Sequence, residues 1–125
     1  EGIGLSDADE PKPMRGFLER NPGLCFIARM DERLVGTVLC GTDGRRGYLY
    51  HLAVNSDLRR KGLGRELVNR VFKALEDRGI HKCHIMVYGS NETGLLFWRQ
   101  GGWVLRPEIV LMSHDIGCQG NHSPC

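Results

Sequence analysis

The sequence predicts a mixed α/β domain whose sheet is mostly antiparallel and ends in a parallel strand pair. Two short apolar runs flank the turn residues Asp31-Glu32, which is hairpin spacing. A strand, a basic glycine-bearing loop, an amphipathic helix and another strand then follow in that order. This β-loop-α-β unit calls for a parallel pair joined by a right-handed crossover. A length of 125 residues suits one domain, so residues 1–125 are expected to form one, with a polar tail over 115–125.

Residues 1–13, with Gly2, Gly4, Pro11 and Pro13, read as irregular. Met14 to Glu19 can form a short helix that Asn21-Pro22-Gly23 ends. Leu24 to Ala28 is the first strand and Leu34 to Cys40 the second. Gly41-Thr42-Asp43-Gly44 is turn chemistry. Tyr48 to Val54 is a third strand. After the loop 55–62, Leu63, Leu67, Val71 and Leu75 recur every four residues with Val68 and Phe72 beside them, which is one apolar helix stripe. Gly79 stands where a glycine C-cap belongs. Cys83 to Val87 is the fourth strand. Ser90 or Asn91 can cap a last helix that Gly101-Gly102 ends, with Trp103 packing in the core, and Glu108 to Met112 reads as a final strand.

Composition excludes several classes. Hydrophobic residues make up 41% and charged residues 26%, ordinary values for a globular protein. Seventeen Lys and Arg against fifteen Asp and Glu give a net charge of +2. That is too small for bulk nucleic-acid binding, which would also show steep salt dependence. The basic residues cluster at Arg45-Arg46 and at Arg59-Arg60-Lys61, which points to local anions. No apolar run approaches the ~20 residues that span a bilayer, and no signal-peptide pattern is present. Five cysteines at irregular spacing read as reduced thiols and a cytoplasmic setting. His114, Cys118, His122 and Cys125 have metal-ligand chemistry but fit no standard zinc spacing, so no metal is expected.

Most of the chemistry lies between Arg59 and Arg65. This stretch follows a strand and opens a helix, whose first turn offers N–H groups and the positive end of a dipole. Gly62 and Gly64 remove Cβ atoms where a bulky anion would approach, and Arg59, Arg60, Lys61 and Arg65 add positive charge. Together they make a diphosphate cradle. No Gly-Lys-Ser/Thr occurs, and Gly62-Leu63-Gly64 is followed by Leu67 rather than glycine, so the two commonest nucleotide-binding glycine motifs are absent. The plain alternative is a basic turn before a helix.

The run Val54-Asn55-Ser56-Asp57-Leu58-Arg59-Arg60-Lys61-Gly62-Leu63-Gly64 resembles the central R/Q-x-x-G-x-G/A motif of the GCN5-related N-acetyltransferases (GNAT). The run from Asn91 to Trp103 is similar to that family's next motif, an Asn-initiated helix ending in Gly-aromatic. The resemblance covers roughly residues 24 to 112. It implies the GNAT acyl-CoA N-acyltransferase fold, with a central strand that splays from its parallel neighbour and is flanked by helices. It also implies acetyl-CoA as co-substrate. Backbone groups of Leu52, Ala53 and Val54 would hold pantetheine, amides from Arg60 to Arg65 (Arg60, Lys61, Gly62, Leu63, Gly64, Arg65) the pyrophosphate, and Asn91 and Trp98 would lie along the cofactor.

The sequence departs from the family pattern in several places. Acetyl transfer requires a deprotonated amine, a polarised thioester carbonyl and a protonated leaving thiolate. Many relatives protonate the sulfur with a tyrosine on the last motif's helix, where this chain has Trp98, and an indole is no acid near neutrality. A glutamate that serves some relatives as base is matched by Met86. Remaining candidates are Tyr48 and Tyr50, which alternation places on one face, and His51, which it places on the other. A phenol ionises near ~10 and an imidazole near neutrality. Ordinary packing in the sheet is the competing reading for all three.

The family's first strand and helix look missing or reduced. The chain begins at Glu1 without an initiator Met, which suggests a trimmed chain or a fragment. Such a loss would expose a sheet edge that a second copy can cover, so a homodimer is expected. The activity expected is N-acetyl transfer from acetyl-CoA to a primary amine of a small molecule or protein, by direct attack in a ternary complex. The rival is a non-catalytic acyl-CoA-binding or ligand-sensing module of the same fold, and no role in nucleic-acid or membrane binding is expected.

Overall fold

A computed structural model describes residues 12–58 and 62–117. These fall into two compact units, one ending at Ser90 and the other starting at Asn91. The first contains α1 (Lys12–Arg20), β1 (Phe26–Met30), β2 (Arg33–Thr42), β3 (Gly47–Val54), a short 3-10 turn (Ser56–Leu58), α2 (Leu63–Asp77) and β4 (Cys83–Ile85). The strands lie in the order β1-β2-β3-β4. β1 and β3 both run antiparallel to β2, and β4 runs parallel to β3, as the β-loop-α-β pattern requires.

β2 is covered on both sides: every residue from Val35 to Gly41 is buried, Thr37 included, which suits its largely apolar sequence. Three glycines let the helices reach the sheet. A Cβ at Gly36 would lie 3.0 Å from Leu67, and one at Gly47 would lie 2.6 Å from Leu75, so α2 sits on that face. A Cβ at Gly41 would lie 3.0 Å from Phe17, which places α1 on the opposite face. The core is built from Leu24, Val38, Cys40, Leu49, Val71 and Leu75, each no more than 2% exposed. Of the expected helix stripe, Leu67, Val68, Val71 and Leu75 are buried, while Phe72 turns outward.

The first strand starts two residues later than expected, at Phe26. Leu24 is nevertheless fully buried, on a turn where its N–H donates to the Asn21 carbonyl at 3.3 Å. Asn21 ties α1 to the sheet: its amide donates to the Phe17 carbonyl and its Oδ1 accepts from the Thr42 N–H, both at 3.0 Å. Removing it leaves a half-buried Thr42 amide unsatisfied, so Asn21→Ala is expected to cost about 1–3 kcal/mol. Urea unfolding should show this as a lowered midpoint, and an unchanged midpoint would discard the latch.

Gly79 ends α2 as expected. Its φ is +79°, its N–H donates to Glu76, and the Ile80 N–H reaches back to Leu75. This is a Schellman motif, completed by burial of Ile80. The second unit repeats it. α3 (Glu92–Gln100) ends at Gly102 with φ +95°, and the Trp103 N–H donates to the Trp98 carbonyl at 3.0 Å. Trp103 is therefore a half-buried closing contact on Trp98, not a core residue. The expected strand Glu108 to Met112 is not formed. Ile109 to Met112 are 59–88% exposed, and the Ile109 N–H closes a turn onto Arg106. A strand needs a ladder partner, and within its unit this segment has none among the described residues.

Candidate functional site

The site centres on β3. This strand pairs with β2 along its whole length but with β4 only over Gly47–Leu49, opposite Cys83–Ile85. Beyond Leu49 no strand among the described residues pairs with that edge, because β4 ends at Ile85 while β3 runs on to Val54. Leu52, Ala53 and Val54 lie along this overhanging half.

The register with β2 shifts by one residue at the same place. Leu49 pairs with Cys40 and His51 with Leu39, leaving Tyr50 as the extra residue of a bulge. Cys40 and Leu39 face opposite sides of the sheet, and so therefore do Leu49 and His51. Strict alternation put His51 across the sheet from the tyrosines. The bulge overturns that, bringing His51 to the face that carries Tyr48 and α1.

On that face the aromatic rings form a wall. Tyr48 and Tyr50 stack with centroids 6.5 Å apart, Phe17 meets Tyr50 edge-on at 5.5 Å, and His84 tilts against Tyr48 at 5.8 Å. Phe17, Tyr48 and Tyr50 bound a cavity of 420 Å³ with Gly41 in its lining. Its polar rim is Arg20, Asn21, Thr42 and Asp43. The N–H groups of Arg46 and Arg45 both donate to Asp43 Oδ1 and hold that carboxyl below its ordinary range. Sequence reading found the tyrosines but missed Phe17, Arg20 and Asn21. These sit in a segment whose only sequence signal was a helix and its stop.

Burial pushes the Tyr50 phenol upward, helped by neighbouring Tyr48. Tyr50 is therefore a poor base and stays a neutral hydroxyl at ordinary pH. Stability drawn from the neutral phenol is present below the usual tyrosine value near ~10 and is lost as pH rises through the raised one. A spectrophotometric titration is expected to show a late-ionising tyrosine that Tyr50→Phe removes. Simultaneous ionisation of all the tyrosines at the ordinary value would contradict it.

The second half of the site is the start of α2. Gly62 precedes the helix with φ +85° and, lacking a side chain, supplies no side-chain cap to the first turn, in which Leu63, Gly64 and Arg65 lie. A Cβ at Gly62 would meet nothing within 4 Å. The need for glycine there is thus the left-handed backbone rather than crowding. Arg59, Arg60 and Lys61 lie outside the described residues.

The model of the Acetyltransferase (GNAT) family matches residues 4–102. This chain belongs to the GNAT acetyltransferase family. An acetyltransferase of Sodalis glossinidius is 30% identical over 99 residues, which span 79% of this chain and 70% of the relative. A soil-metagenome aminoglycoside acetyltransferase, solved with trehalose, superposes with a TM-score of 0.73 at 17% identity, over 91% of this chain and 80% of the other. Arabidopsis thaliana Naa50, solved with the bisubstrate analogue CoA-Ac-MVNAL, gives 0.64 at 20% identity, over 78% and 71%. The fold is that of the GNAT enzymes, and the reaction class is acyl-CoA-dependent N-acetyl transfer.

In this GNAT chain Asn91 caps α3, its Oδ1 accepting from the Gly94 N–H at 3.0 Å. A Cβ at position 94 would lie 2.4 Å from that side chain, so Gly94 makes room for the cap. Trp98 packs edge-on against both Phe97 at 4.9 Å and Trp103 at 5.2 Å. Met86 is 63% exposed just beyond β4. Cys25, Cys40 and Cys83 are free thiols. A hydrogen bond with Cys40, then burial, keeps Cys83 protonated, and burial does the same for Cys25. No helix among the described residues is long and apolar enough to cross a membrane.

Proposed function

We propose that this protein transfers an acetyl group from acetyl-CoA to a primary amine of a small molecule or protein, by direct attack in a ternary complex. The observation that carries the reading is the half of β3 that runs past the end of β4, combined with an α2 that starts after a left-handed Gly62 offering no side-chain cap. A strand edge beyond its last strand partner suits an amide-bearing chain such as pantetheine, and such a helix start suits a diphosphate. The chain's residues therefore fit coenzyme A.

In this scheme backbone groups of Leu52, Ala53 and Val54 hold pantetheine, and amides from Arg60 to Arg65 hold the pyrophosphate. Arg59 adds charge at the loop, and Asn91 and Trp98 complete the cofactor side. Bound acetyl-CoA supplies the activated acyl group. Tyr48 and Tyr50 shape the acceptor side, and the Tyr50 hydroxyl donates a hydrogen bond rather than accepting a proton. His51, on the same face, is the group suited to relay the amine's proton. Trp98 has no acidic proton to give, so the departing sulfur is protonated from solvent.

The test is thiol release from acetyl-CoA across a panel of primary amines. Turnover with at least one amine, lost in a His51→Ala, Tyr48→Phe double variant, is the expected result. Binding of coenzyme A with no turnover on any amine would replace this reading with a non-catalytic acyl-CoA-binding module. The same reading makes the protein a homodimer, since β1 pairs on one side only among the described residues, and its free thiols suit a cytoplasmic setting. Sedimentation at the monomer mass would remove the dimer.

A further inference from the structure

We propose that the cavity under Tyr48 and Tyr50 receives the acceptor, and that Arg20 selects amines that also carry a carboxylate on an apolar body. The proposal rests on the acetyl-transfer reading above and deepens it. The cavity adjoins the reaction centre that reading implies: Tyr50 lines it and is also the first residue of β3 beyond its pairing with β4. Its 420 Å³ falls in the range of small-molecule sites.

The polar groups of the rim decide the chemistry, because most are already engaged. Asn21 bonds Phe17 and Thr42. The Thr42 hydroxyl donates to the Arg46 carbonyl at 2.7 Å and accepts from the Gly44 N–H at 3.0 Å. Asp43 accepts two backbone N–H groups and has the Arg45 guanidinium 3.7 Å away. It is thus neutralised within its own turn. Arg20 has no hydrogen bond or ion pair among the described residues. The cavity's unengaged polar groups are a guanidinium and two phenol hydroxyls.

Such a set of donors recognises an acceptor-rich, negatively charged group, and a guanidinium fork matches a carboxylate. With Asp43 and Arg45 offsetting each other, the neighbouring Arg46 on the β2–β3 turn biases the local field the same way. Polycationic amines meet repulsion at this rim, whereas an amino carboxylate can place its anion at Arg20 and its apolar body on the Phe17–Tyr50 wall. Its amine then points toward the half of β3 that runs past the end of β4.

The experiment compares matched acceptors: phenylalanine, leucine and 4-aminobutyrate, each against its carboxamide, with spermidine and kanamycin as polycations. Turnover is followed by thiol release from acetyl-CoA. In parallel, binding to the coenzyme A-loaded protein is measured by calorimetry. At least one acid is expected to exceed its carboxamide tenfold or more in kcat/KM. Arg20→Gln should abolish that preference mainly through KM, and Arg20→Lys should restore part of it. Equal use of acid and carboxamide, or preference for the polycations, overturns the carboxylate assignment and leaves acetyl transfer standing. Acids that bind in an Arg20-dependent way but are not acetylated, alongside no turnover on any amine, support the pocket and refute the transfer reading. Absence of both binding and turnover overturns both.

Discussion

Gly47→Val is expected to cost about 3 kcal/mol of stability, because the new side chain enters a filled core. Its Cβ alone would stand 2.6 Å and 3.0 Å from the two methyl carbons of Leu75 and 3.4 Å from the Cys83 sulfur. Leu75 is 2% exposed and has little room to yield. Leu75→Ala by itself leaves a cavity and is expected to cost about 2–5 kcal/mol. Combined with Gly47→Val it should cost less than the sum, since each change relieves the other, with a coupling on the order of 1 kcal/mol. Urea midpoints for the two single variants and the double variant measure this. Strict additivity, or an unchanged midpoint for Gly47→Val, would mean that α2 does not rest on this glycine.

The second large effect is expected on coenzyme A affinity. Gly62→Val forces a β-branched residue into φ +85° at the start of α2. The strain of about 1–2 kcal/mol reshapes the turn whose amides are proposed to hold the pyrophosphate, so Kd for coenzyme A should rise about tenfold or more. Gly79→Val is the matched control. It has φ +79°, a Cβ there also meets nothing within 4 Å, and it caps the other end of the same helix. Both variants should lose similar stability, yet only Gly62→Val should weaken the cofactor. Calorimetry that finds equal losses of affinity would detach the α2 start from cofactor binding.

Much of the fold could be read in advance because each signal was local. The β3-loop-α2-β4 unit, the Asp31 turn (φ 58°), the Asn91 cap and both glycine helix ends depend on residues a few positions apart. Errors arose where the deciding partner was distant. Val110 to Met112 look like a strand but find no ladder, and Phe72 continues a stripe that the helix surface ends. The candidate site divides in the same way. Gly62 and the tyrosines were visible, whereas Arg20, Asn21 and Phe17 gain meaning only because Gly41 lets α1 approach β2. His51 was placed on the wrong side because a two-residue period cannot anticipate an inserted residue.

That inserted residue also makes the strand tolerant of a change in length. Removing Tyr50 leaves Leu49 opposite Cys40 and His51 opposite Leu39, which are already consecutive rungs. No other pairing would need to slip, and no buried side chain would change sides. Relatives shorter by this one residue are therefore compatible with the same sheet. A single-codon deletion offers a way to remove the central ring of the aromatic wall while keeping the sheet that is proposed to hold coenzyme A.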